Sequence, residues 1–505
     1  MRLYPDFAEF AEKYKNGEAQ AVWTQLVADL ETPVSAMLKL AAGKPMSFLF
    51  ESVEGGSVRG RYSIIGFAPD VIWRANGNKA EINRSPSKSL DKFTAVKGGA
   101  LASLRALLAE SHIDLPASLP PMALGVFGYM GYDTVRLIER LPKPNPDPIG
   151  IPDAVMVRPT IMAIFDNVKD EIFLVTPVRP QGRMSAKTAY ARAVDRLSSA
   201  VDELEKPLAH TEHLNGNGIT MPETTSNTTQ EEYEAMVGRA KEYIAAGDIF
   251  QVVLSQRFST PFELPPFVLY RALRRVNPSP FLFFLDFGAY AVAGSSPESL
   301  VRARNGQVTI RPIAGTRRRG ATPEEDKALA DELLADDKER SEHLMLLDLG
   351  RNDVGRVANL GTVRVTDSFI LEYYSQVMHI VSNVVGELAS EHDSVDALMA
   401  GFPAGTVSGA PKVRAMEIID ELEKEKRGLY AGCVGYFSAM GDMDSCIVLR
   451  TSLIKDGTMY VQSGAGIVAD SVPASEHREC QMKAKALFRA AEEAVRIASE
   501  TERGQ

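Results

Sequence analysis

The sequence predicts an α+β fold in which helices accompany antiparallel strands. Short β-branched and aromatic segments alternate with helical segments, without a regular β-α-β repeat. Two apolar runs, 154–165 and 171–178, flank Asp166-Asn167 and are close enough in sequence to pair as antiparallel neighbours. The string Gly464-Ala-Gly-Ile-Val-Ala469 fits Gly-x-Gly-x-x-Ala, but Asp470-Ser-Val-Pro473 follows it where a helix should begin. This excludes a dinucleotide-binding unit.

The first 212 residues are predicted to form an N-terminal α+β unit. Helical periodicity predicts helices over residues 6–16, 34–42, 101–109 and 185–205. Apolar or alternating runs predict strands over residues 46–52, 61–66, 71–74, 124–132, 154–165 and 171–178.

Residues 213–229 are polar and rich in turn formers, so we place a linker there and a second domain over 230–505. Thr229 and Glu232 form a capping box before a helix that ends at Gly247. Further helices are expected from Thr322 toward Glu339 and Glu342, over 408–423, and after Pro473. The predicted strands of this half are 249–258, 281–286, 289–295, 307–313, 434–439, 446–454 and 459–462.

The chain of 505 residues has 56 basic and 66 acidic side chains and a net charge of −10. This balance disfavours nucleic acid and an anionic membrane as partners. The N-terminal residues show no apolar signal core, and no apolar run is long enough for a transmembrane helix. Three cysteines without metal spacing suit a reducing compartment, so we expect a cytoplasmic protein.

Two Glu-x-x-Glu pairs, Glu339 with Glu342 and Glu476 with Glu479, place both carboxylates of each pair on one helical face. Lys483 extends the second face by one turn. Two such pairs facing each other would form an oxygen-rich site for a hard divalent cation. Mg²⁺ is expected because it keeps waters and shares a bound anion. The alternative is that each pair is a solvated helix face.

Three other features have two interpretations each. Glu298 follows a proline and precedes an apolar pair, which suits an acid with a raised pKa or a surface turn. His379 lies among apolar residues, as a functional or a core histidine does. The turn at 405–412 presents backbone N–H groups to a carboxylate or simply starts a helix. Gly464 and Gly466 allow a backbone to approach a ligand closely.

Five segments, in order, resemble the chorismate-utilising enzymes, and most closely the component I chains of anthranilate synthases. They are Pro-Ile-Ala-Gly-Thr-Arg (312–317), Ser-Glu-His-Leu-Met-Leu-Leu-Asp-Leu-Gly-Arg-Asn-Asp (341–353), Tyr-Ser-Gln-Val-Met-His (374–379), Ser-Gly-Ala-Pro-Lys-Val-Arg-Ala-Met (408–416) and Ser-Gly-Ala-Gly-Ile-Val-Ala-Asp-Ser-Val-Pro (463–473). The resemblance covers nearly all of 226–490 and, more weakly, the N-terminal unit. It implies two large packed antiparallel β-sheets with helices on the outside.

The resemblance also implies a set of binding residues. Chorismate would bind between the sheets with Mg²⁺ on its ring carboxylate. Glu342 and Glu479 match the metal ligands, and Glu339 and Glu476 match acidic neighbours that act through water. The residues that match positions holding the substrate carboxylates are Gly315, Thr316, Tyr430, Arg450, Gly464, Ala465, Gly466 and Lys483.

The implied reaction is attack of ammonia at C2 of chorismate with loss of the C4 hydroxyl, followed by elimination of pyruvate to give anthranilate. Glu298 matches the general acid and His379 the residue that assists pyruvate elimination. Thr406 is assigned to the same catalytic group. The chain has no glutaminase cysteine motif, so the resemblance implies a separate glutamine amidotransferase subunit, in a heteromer expected to be a heterotetramer.

Two positions separate the related activities. Ala314 stands where aminodeoxychorismate synthases carry a nucleophilic lysine, and Gln251 stands where isochorismate and salicylate synthases carry a lysine base. Both favour anthranilate formation. The remaining alternatives are an aminodeoxychorismate synthase component I and a tryptophan-binding regulatory subunit without chemistry. The implied inhibitory site for L-tryptophan comprises Glu51, Ser52, Pro278, Ser279 and Pro280.

Overall fold

The computed structural model describes residues 1–54, 58–180, 182, 184–208, 223–374 and 377–499. The strands within these ranges are β1 (Gln20–Val27), β2 (Ser47–Glu54), β3 (Val58–Asn76), β4 (Lys79–Asn83), β5 (Thr94–Val96), β6 (Gly125–Met130), β7 (Ala154–Asp166), β8 (Glu171–Val178), β9 (Thr225–Ser226), β10 (Gln251–Pro261), β11 (Phe281–Asp286), β12 (Tyr290–Ser296), β13 (Ser299–Arg304), β14 (Gln307–Ile310), β15 (Ile313–Arg318), β16 (Arg364–Tyr373), β17 (Val377–Glu387), β18 (Gly409–Ala410), β19 (Cys433–Ser438), β20 (Met443–Ile447), β21 (Thr451–Lys455) and β22 (Thr458–Ile467).

The helices of the described ranges accompany these strands. They are α1 (Phe7–Lys15), α2 (Pro33–Leu40), α3 (Ala100–Ser111), α4 (Ala186–Glu205), α5 (Gln230–Ala245), α6 (Pro266–Val276), α7 (Pro323–Ala335), α8 (Asp337–Gly355), α9 (Ser394–Ala400), α10 (Lys412–Leu422) and α11 (Pro473–Ser499), with 3₁₀ turns at Tyr132–Leu137 and Gly405–Val407. No helix among them is both long and apolar enough to span a bilayer.

Two long strands, β3 and β7, take part in both of two antiparallel sheets. The first half of β3 pairs with β2 and its second half with β4. β7 pairs with β3 along its length and with β6 and β8 on its other edge. The first sheet has the order β1-β8-β7-β3-β2-β11-β12-β21-β22-β10. The second has the order β5-β4-β3-β7-β6-β19-β20-β13-β14-β17, with β15 and β16 also paired to β17.

Side chains alternate between two environments along each strand, because successive residues face opposite sides of a sheet. On β2, Phe48 lies in the core between the sheets, whereas Leu49 packs with helices α1, α2, α4, α6 and α11 outside the first sheet. On β6, Phe127 faces the inner core and Val126 faces a third cluster that includes α3 and α9. The predicted α+β architecture of two packed sheets with outer helices is therefore observed.

Strands from before and after the predicted linker are neighbours in both sheets. β2 pairs with β11, and β6 pairs with β19. Residues 213–222 of the linker lie outside the described ranges, and the division into domains at 213–229 stays a prediction.

Several element boundaries differ from the predicted ones. The strands predicted over 61–66 and 71–74 are one strand, because the pairing of β3 with β7 continues past a register shift between Pro69 and Val71. The strand predicted over 446–454 is divided into β20 and β21, and Arg450 between them has a φ of 47°. The strand predicted over 307–313 is divided at Pro312, which lacks a backbone donor. The helix predicted to run from Thr322 to Glu342 breaks at Asp336, whose carboxylate caps α8.

Candidate active site

The chain crosses from one sheet to the other at two neighbouring points. Pro297 and Glu298 connect β12 of the first sheet to β13 of the second, and residues 448–450 connect β20 to β21. The Ser295 N–H donates to the Arg450 carbonyl (3.1 Å), and the Ile447 N–H donates to the Glu298 carbonyl (3.0 Å). These bonds hold the two crossings side by side. A carboxylate and a guanidinium are thereby brought to one place at the junction of the sheets.

A cleft enclosing about 630 Å³, part of it open to solvent, lies at these crossings. Strands β10 and β22 form one wall. The sequence-predicted residues that line the cleft are Glu298, Thr406, Tyr430, Arg450, Gly464, Gly466 and Lys483. Residues from six separate segments of the sequence therefore share one cavity.

Glu298 is a half-buried residue whose carboxyl group lies at this cleft. Burial raises its pKa, while a hydrogen bond from Thr406 and the positive charges of Arg450 and Lys483 lower it. The Thr406 Oγ1 donates to Glu298 Oε2 at 2.9 Å. The net shift of the pKa is upward, so this carboxyl keeps its proton to a higher pH than an exposed glutamate.

We expect Thr406→Val to shift the pH profile of the reaction that the motif resemblance implies. The hydroxyl stabilises the ionised form of Glu298, so its removal raises the Glu298 pKa further. The alkaline limb of kcat/KM, where the proton is lost, should therefore move to higher pH. Thr24→Val is the control, since Thr24 is buried far from the cleft and bonds the Arg2 carbonyl. An unmoved or lowered limb would contradict this assignment.

His379 lies on β17 opposite Thr316 of β15. Its Nδ1 is 3.1 Å from the Gly315 carbonyl oxygen and 3.0 Å from Thr316 Oγ1. A carbonyl only accepts, so Nδ1 carries the hydrogen and the neutral ring has its lone pair at Nε2. Burial lowers the pKa of His379, which keeps the ring neutral near pH 7. Three predicted residues are thus joined in one hydrogen-bonded group.

The positive charges of the cleft lie beside open backbone. Lys483 Nζ donates to the Gly464 carbonyl (3.0 Å) and pairs with Glu479 (2.8 Å). A Cβ added at Gly464 would lie 2.7 Å from the Leu254 carbonyl oxygen, so glycine alone leaves this space free. Ala465, between the two glycines, packs into the hydrophobic core instead, and its side chain does not line the cleft.

The four predicted metal-site carboxylates interact electrostatically across the two helices. Burial raises the pKa of Glu342, and the negative charges of Glu339 and Glu479 raise it further. Burial also raises the pKa of Glu476, as does the charge of Glu479. Glu339 pairs with Arg317 at 3.0 Å. Across the described part of the chain, no three His, Cys, Asp or Glu side chains are gathered into a metal-holding group.

Comparison with known proteins identifies the family. The sequence model described as chorismate binding enzyme matches residues 47–489. Anthranilate synthase component 1 of Cereibacter sphaeroides is 57% identical over 489 residues, which cover 97% of each chain. The chain belongs to the chorismate binding enzyme family. Anthranilate synthase component 1 of Pseudomonas putida is 48% identical to this chain, and the match covers 92% of this chain and 94% of that protein. The resemblance predicted from the sequence motifs is confirmed.

Solved structures agree with this family assignment. Anthranilate synthase component I from Streptococcus pneumoniae TIGR4 matches with a TM-score of 0.75 at 39% identity, covering 85% of this chain and 92% of that one. The menaquinone-specific isochorismate synthase of Escherichia coli matches with a TM-score of 0.69 at 19% identity, covering 96% and 98%. The latter shares the fold, and the predicted chorismate-utilising fold is confirmed.

The segments predicted to bind tryptophan also meet in this chorismate binding enzyme. β2 pairs with β11 so that Glu51 lies opposite Leu282 and Ser52 opposite Phe281. Ser279, just before β11, is buried. The Glu51 carboxylate accepts hydrogen bonds from Arg274 Nε (2.7 Å) and Tyr270 (2.6 Å) of α6. The two segments form one region, and their binding of tryptophan stays a prediction.

Glu51→Leu is expected to lower the free energy of unfolding by about 2–4 kcal/mol, because it leaves the Arg274 charge and the Tyr270 hydroxyl without their buried acceptor. The Glu51 side chain is 3% exposed and that of Arg274 is 21% exposed. Glu81→Leu is the matched control: its pair with Arg74 is 38% and 35% exposed, so the loss should stay below about 1 kcal/mol. Urea denaturation measures both, and equal losses would contradict the difference in burial.

Sequence reasoning missed two residues, one in the cleft and one beside His379. Gln462 lines the cleft and donates to Ser255 Oγ (2.9 Å). Its alternation with Gly464 and Gly466 on one strand face would have indicated it, but the strand was predicted to end at residue 462. The Tyr374 ring packs edge-on against His379, with ring centroids 5.6 Å apart. Tyr374 lies within a recognised motif but was given no role.

Proposed function

We propose that this chain is the chorismate-aminating chain of an anthranilate synthase, in the first committed step of tryptophan biosynthesis. It would convert chorismate and ammonia into anthranilate, pyruvate and water. The observation that carries the proposal is that Glu298, a carboxyl whose pKa is raised by burial, shares one cleft with two cations, Arg450 and Lys483. The name of two nearly full-length relatives, anthranilate synthase component 1, supports the same activity.

Glu298 acts as the general acid in this proposal. Ammonia adds at C2 of chorismate, and the hydroxyl at C4 must leave with a proton, because hydroxide is a poor leaving group. A partly buried carboxyl whose pKa is raised is suited to hold that proton and to transfer it. Thr406 holds the carboxyl by its hydrogen bond.

His379 acts in the second half of the reaction. Its Nδ1 is engaged by Gly315 and Thr316, which leaves the lone pair of Nε2 for an incoming proton. Elimination of pyruvate makes the ring aromatic and requires loss of the proton at C2. A neutral imidazole fixed in one tautomer is suited to assist that loss.

The carboxylates of chorismate are expected to bind Arg450, Lys483 and the backbone of Gly464 and Gly466. A guanidinium binds a carboxylate through two parallel hydrogen bonds. The glycines leave backbone groups open because no side chain covers them. The Gly315–Thr316 segment beside His379 adds further backbone groups.

The carboxylates of α8 and α11 are proposed to hold a Mg²⁺ ion. Glu342 is half-buried, is repelled by Glu339 and Glu479, and has no hydrogen bond or ion pair from any described residue. Such an unpaired carboxylate among like charges suits a divalent cation. Glu342 and Glu479 would hold the ion directly, and Glu339 and Glu476 through water. When bound there, the ion supplies positive charge that neutralises and orients the ring carboxylate of chorismate.

The nucleophile in this proposal is ammonia itself. Ala314 provides no amine on β15, and Gln251 on β10 provides no base that activates water. All three cysteines are buried, and burial raises the pKa of Cys433 to about 12, which is unsuited to a glutaminase nucleophile. We therefore propose that a separate glutamine amidotransferase subunit delivers ammonia, as the name component 1 of the relatives suggests. L-Tryptophan is proposed to inhibit by binding where Glu51 and Ser52 of β2 meet the segment Pro278-Ser279-Pro280 that precedes β11.

The experiment is an anthranilate fluorescence assay with chorismate, ammonium and Mg²⁺, run with and without L-tryptophan. Fluorescence that depends on ammonium and falls with tryptophan supports both proposals. A silent assay across a wide range of ammonium would overturn the catalytic proposal. Calorimetry that detects tryptophan binding in such a silent protein would instead favour a regulatory subunit.

A further inference from the structure

Next to Tyr430, a buried ion pair joins Arg427 to Glu423. The side chains are 1% and 5% exposed. Arg427 donates through Nε to Glu423 Oε2 (2.9 Å) and through Nη2 to Oε1 (2.5 Å), which is a two-pronged contact. Neither residue lines the cleft, although Arg427 borders a neighbouring cavity that shares Tyr430 and Gln462 with the cleft.

The remaining hydrogen bonds of this pair reach two walls of the cleft. Arg427 Nη1 donates to the Val407 carbonyl (2.7 Å), and Nη2 donates to the Val253 carbonyl (2.6 Å). Glu423 Oε1 accepts from the N–H (2.8 Å) and the hydroxyl (2.9 Å) of Ser255. Val253 and Ser255 belong to β10, whereas Val407 belongs to the 3₁₀ turn that carries Thr406.

Each anchored residue adjoins a functional one. Val407 follows Thr406, the donor to Glu298. Val253 pairs with Gly466 and Ser255 pairs with Gly464 across the β10–β22 ladder. The guanidinium also lies over the Tyr430 ring, 5.5 Å from its centroid. The Arg427 guanidinium, a rigid fork of N–H groups, therefore connects the turn that carries Thr406 to strand β10. Strand β10 in turn pairs with the strand that carries Gly464 and Gly466.

A contribution to the stability of the fold does not by itself explain why a buried ion pair is present here. Apolar residues of similar volume often replace a buried ion pair without loss of stability. The geometry of the fork, by contrast, fixes the distance between two carbonyls on different segments, because a guanidinium is planar and rigid. The turn Gly405–Val407 is three residues long. The backbone after it is bonded to β10 from Ser408 onward, and the fork adds a side-chain anchor within the turn itself, at Val407.

We propose that the Arg427–Glu423 pair is a positioning device, which sets Thr406 and strand β10 relative to each other. It acts on the reaction through Thr406 and Glu298 and rests on the proposed function. The groups facing Glu298 are Thr406, Arg450, Lys483, Tyr374 and Tyr430. Those facing Arg427 are Glu423, Asp420, Tyr132 and Tyr430.

The test is Arg427→Lys, which keeps the charge opposite Glu423 but loses the fork. A displaced Thr406 no longer stabilises ionised Glu298, so the alkaline limb of kcat/KM should move to higher pH, in the direction of Thr406→Val. We expect kcat to fall about 10–100-fold through misplacement, with a smaller change in KM. Adding Arg427→Lys to Thr406→Val should move the limb no further.

Arg158→Lys is the matched control. Arg158 is 6% exposed and donates through Nε (2.7 Å) and Nη2 (3.0 Å) to the two carboxylate oxygens of Asp70, and neither residue lines the cleft. This variant should change stability without moving the limb. If Arg427→Lys does not fold, Glu423→Gln, which keeps the shape of the acceptor, is measured in the same way.

The outcomes separate the two proposals. An active wild type whose limb stays in place in Arg427→Lys and in Glu423→Gln overturns the positioning role and leaves the proposed function standing. Shifts that add in the double variant also overturn it, because they show that Arg427 does not act through Thr406. A wild type that forms no anthranilate overturns the proposed function and this role with it.

Discussion

Glu298→Gln is expected to lower kcat for anthranilate formation by about 10³-fold, within the range that general acid catalysis supplies. The glutamine side chain has nearly the same shape and still accepts the Thr406 hydroxyl, but it has no proton to transfer. The folded state should not be weakened, since the ionised carboxylate at this position is desolvated. The measurement is steady-state anthranilate fluorescence with saturating ammonium, together with thermal unfolding.

The control for this variant is Asp286→Asn. Asp286 is also a carboxyl whose pKa is raised by burial, but it caps a turn by accepting from the Gly288 N–H (2.8 Å) and lies outside the cleft. Its replacement should leave kcat near the wild-type value. A Glu298→Gln variant that keeps more than a tenth of the wild-type kcat would rule out Glu298 as the proton donor.

Elements defined by local contacts were predictable from the sequence. The Thr229–Glu232 capping box is formed as expected, with the Thr229 side chain accepting from the Glu232 N–H (3.2 Å) and the Glu232 carboxylate accepting from the Thr229 N–H (2.8 Å). The helix predicted over 185–205 is observed as α4, capped by Ser185. These signals lie within a few residues of each other, so pattern and propensity suffice.

Elements defined by distant pairing were less predictable. β22 continues through Gly464 and Gly466 to Ile467, because β10 pairs with it as far as Val252. Glycine weakens a strand on propensity alone, so the sequence indicated a strand end. The helix α6 was not predicted at all, although it supplies the Arg274 and Tyr270 contacts to Glu51. The apolar face of α6 packs against the first sheet, and this partner is visible only in the structure.

The candidate site was likewise predictable where motifs identify its residues and unpredictable where distant strands bring them together. Motif similarity indicated Glu298, Thr406, Arg450 and Lys483, and all four line one cleft. No local pattern reveals that Glu298 and Arg450 lie at two crossings between the sheets, because this follows from strand order. The Arg427–Glu423 pair was invisible for the same reason: its carbonyl acceptors belong to β10 and to a turn far away in the sequence.

Glu342→Gln is expected to weaken the apparent affinity for Mg²⁺ in the chorismate reaction by at least about 10-fold. The variant removes a negative charge that the fold holds half-buried beside Glu339 and Glu479. In the absence of Mg²⁺ it should therefore unfold at a higher temperature than the wild type. The folded-state pKa of Glu342 is raised, so its ionisation costs stability as the pH rises through that pKa. The advantage of the variant should accordingly be present at neutral pH and vanish in acid.

Glu342→Gln should thus weaken the binding of Mg²⁺ but raise the unfolding temperature in its absence. These opposite effects distinguish a metal ligand from an ordinary core residue. Replacing a residue that only packs would lower the stability of the protein with and without the ion. Replacing a ligand that is repelled by neighbouring carboxylates would remove only the stabilisation that the bound ion adds. Asp348→Asn on the same helix is the control, since its carboxylate is exposed and pairs with Arg351. Thermal unfolding with and without Mg²⁺ and chorismate gives the readout independently of turnover. A Glu342→Gln variant stabilised by Mg²⁺ as strongly as the wild type would show that the ion does not bind this carboxylate.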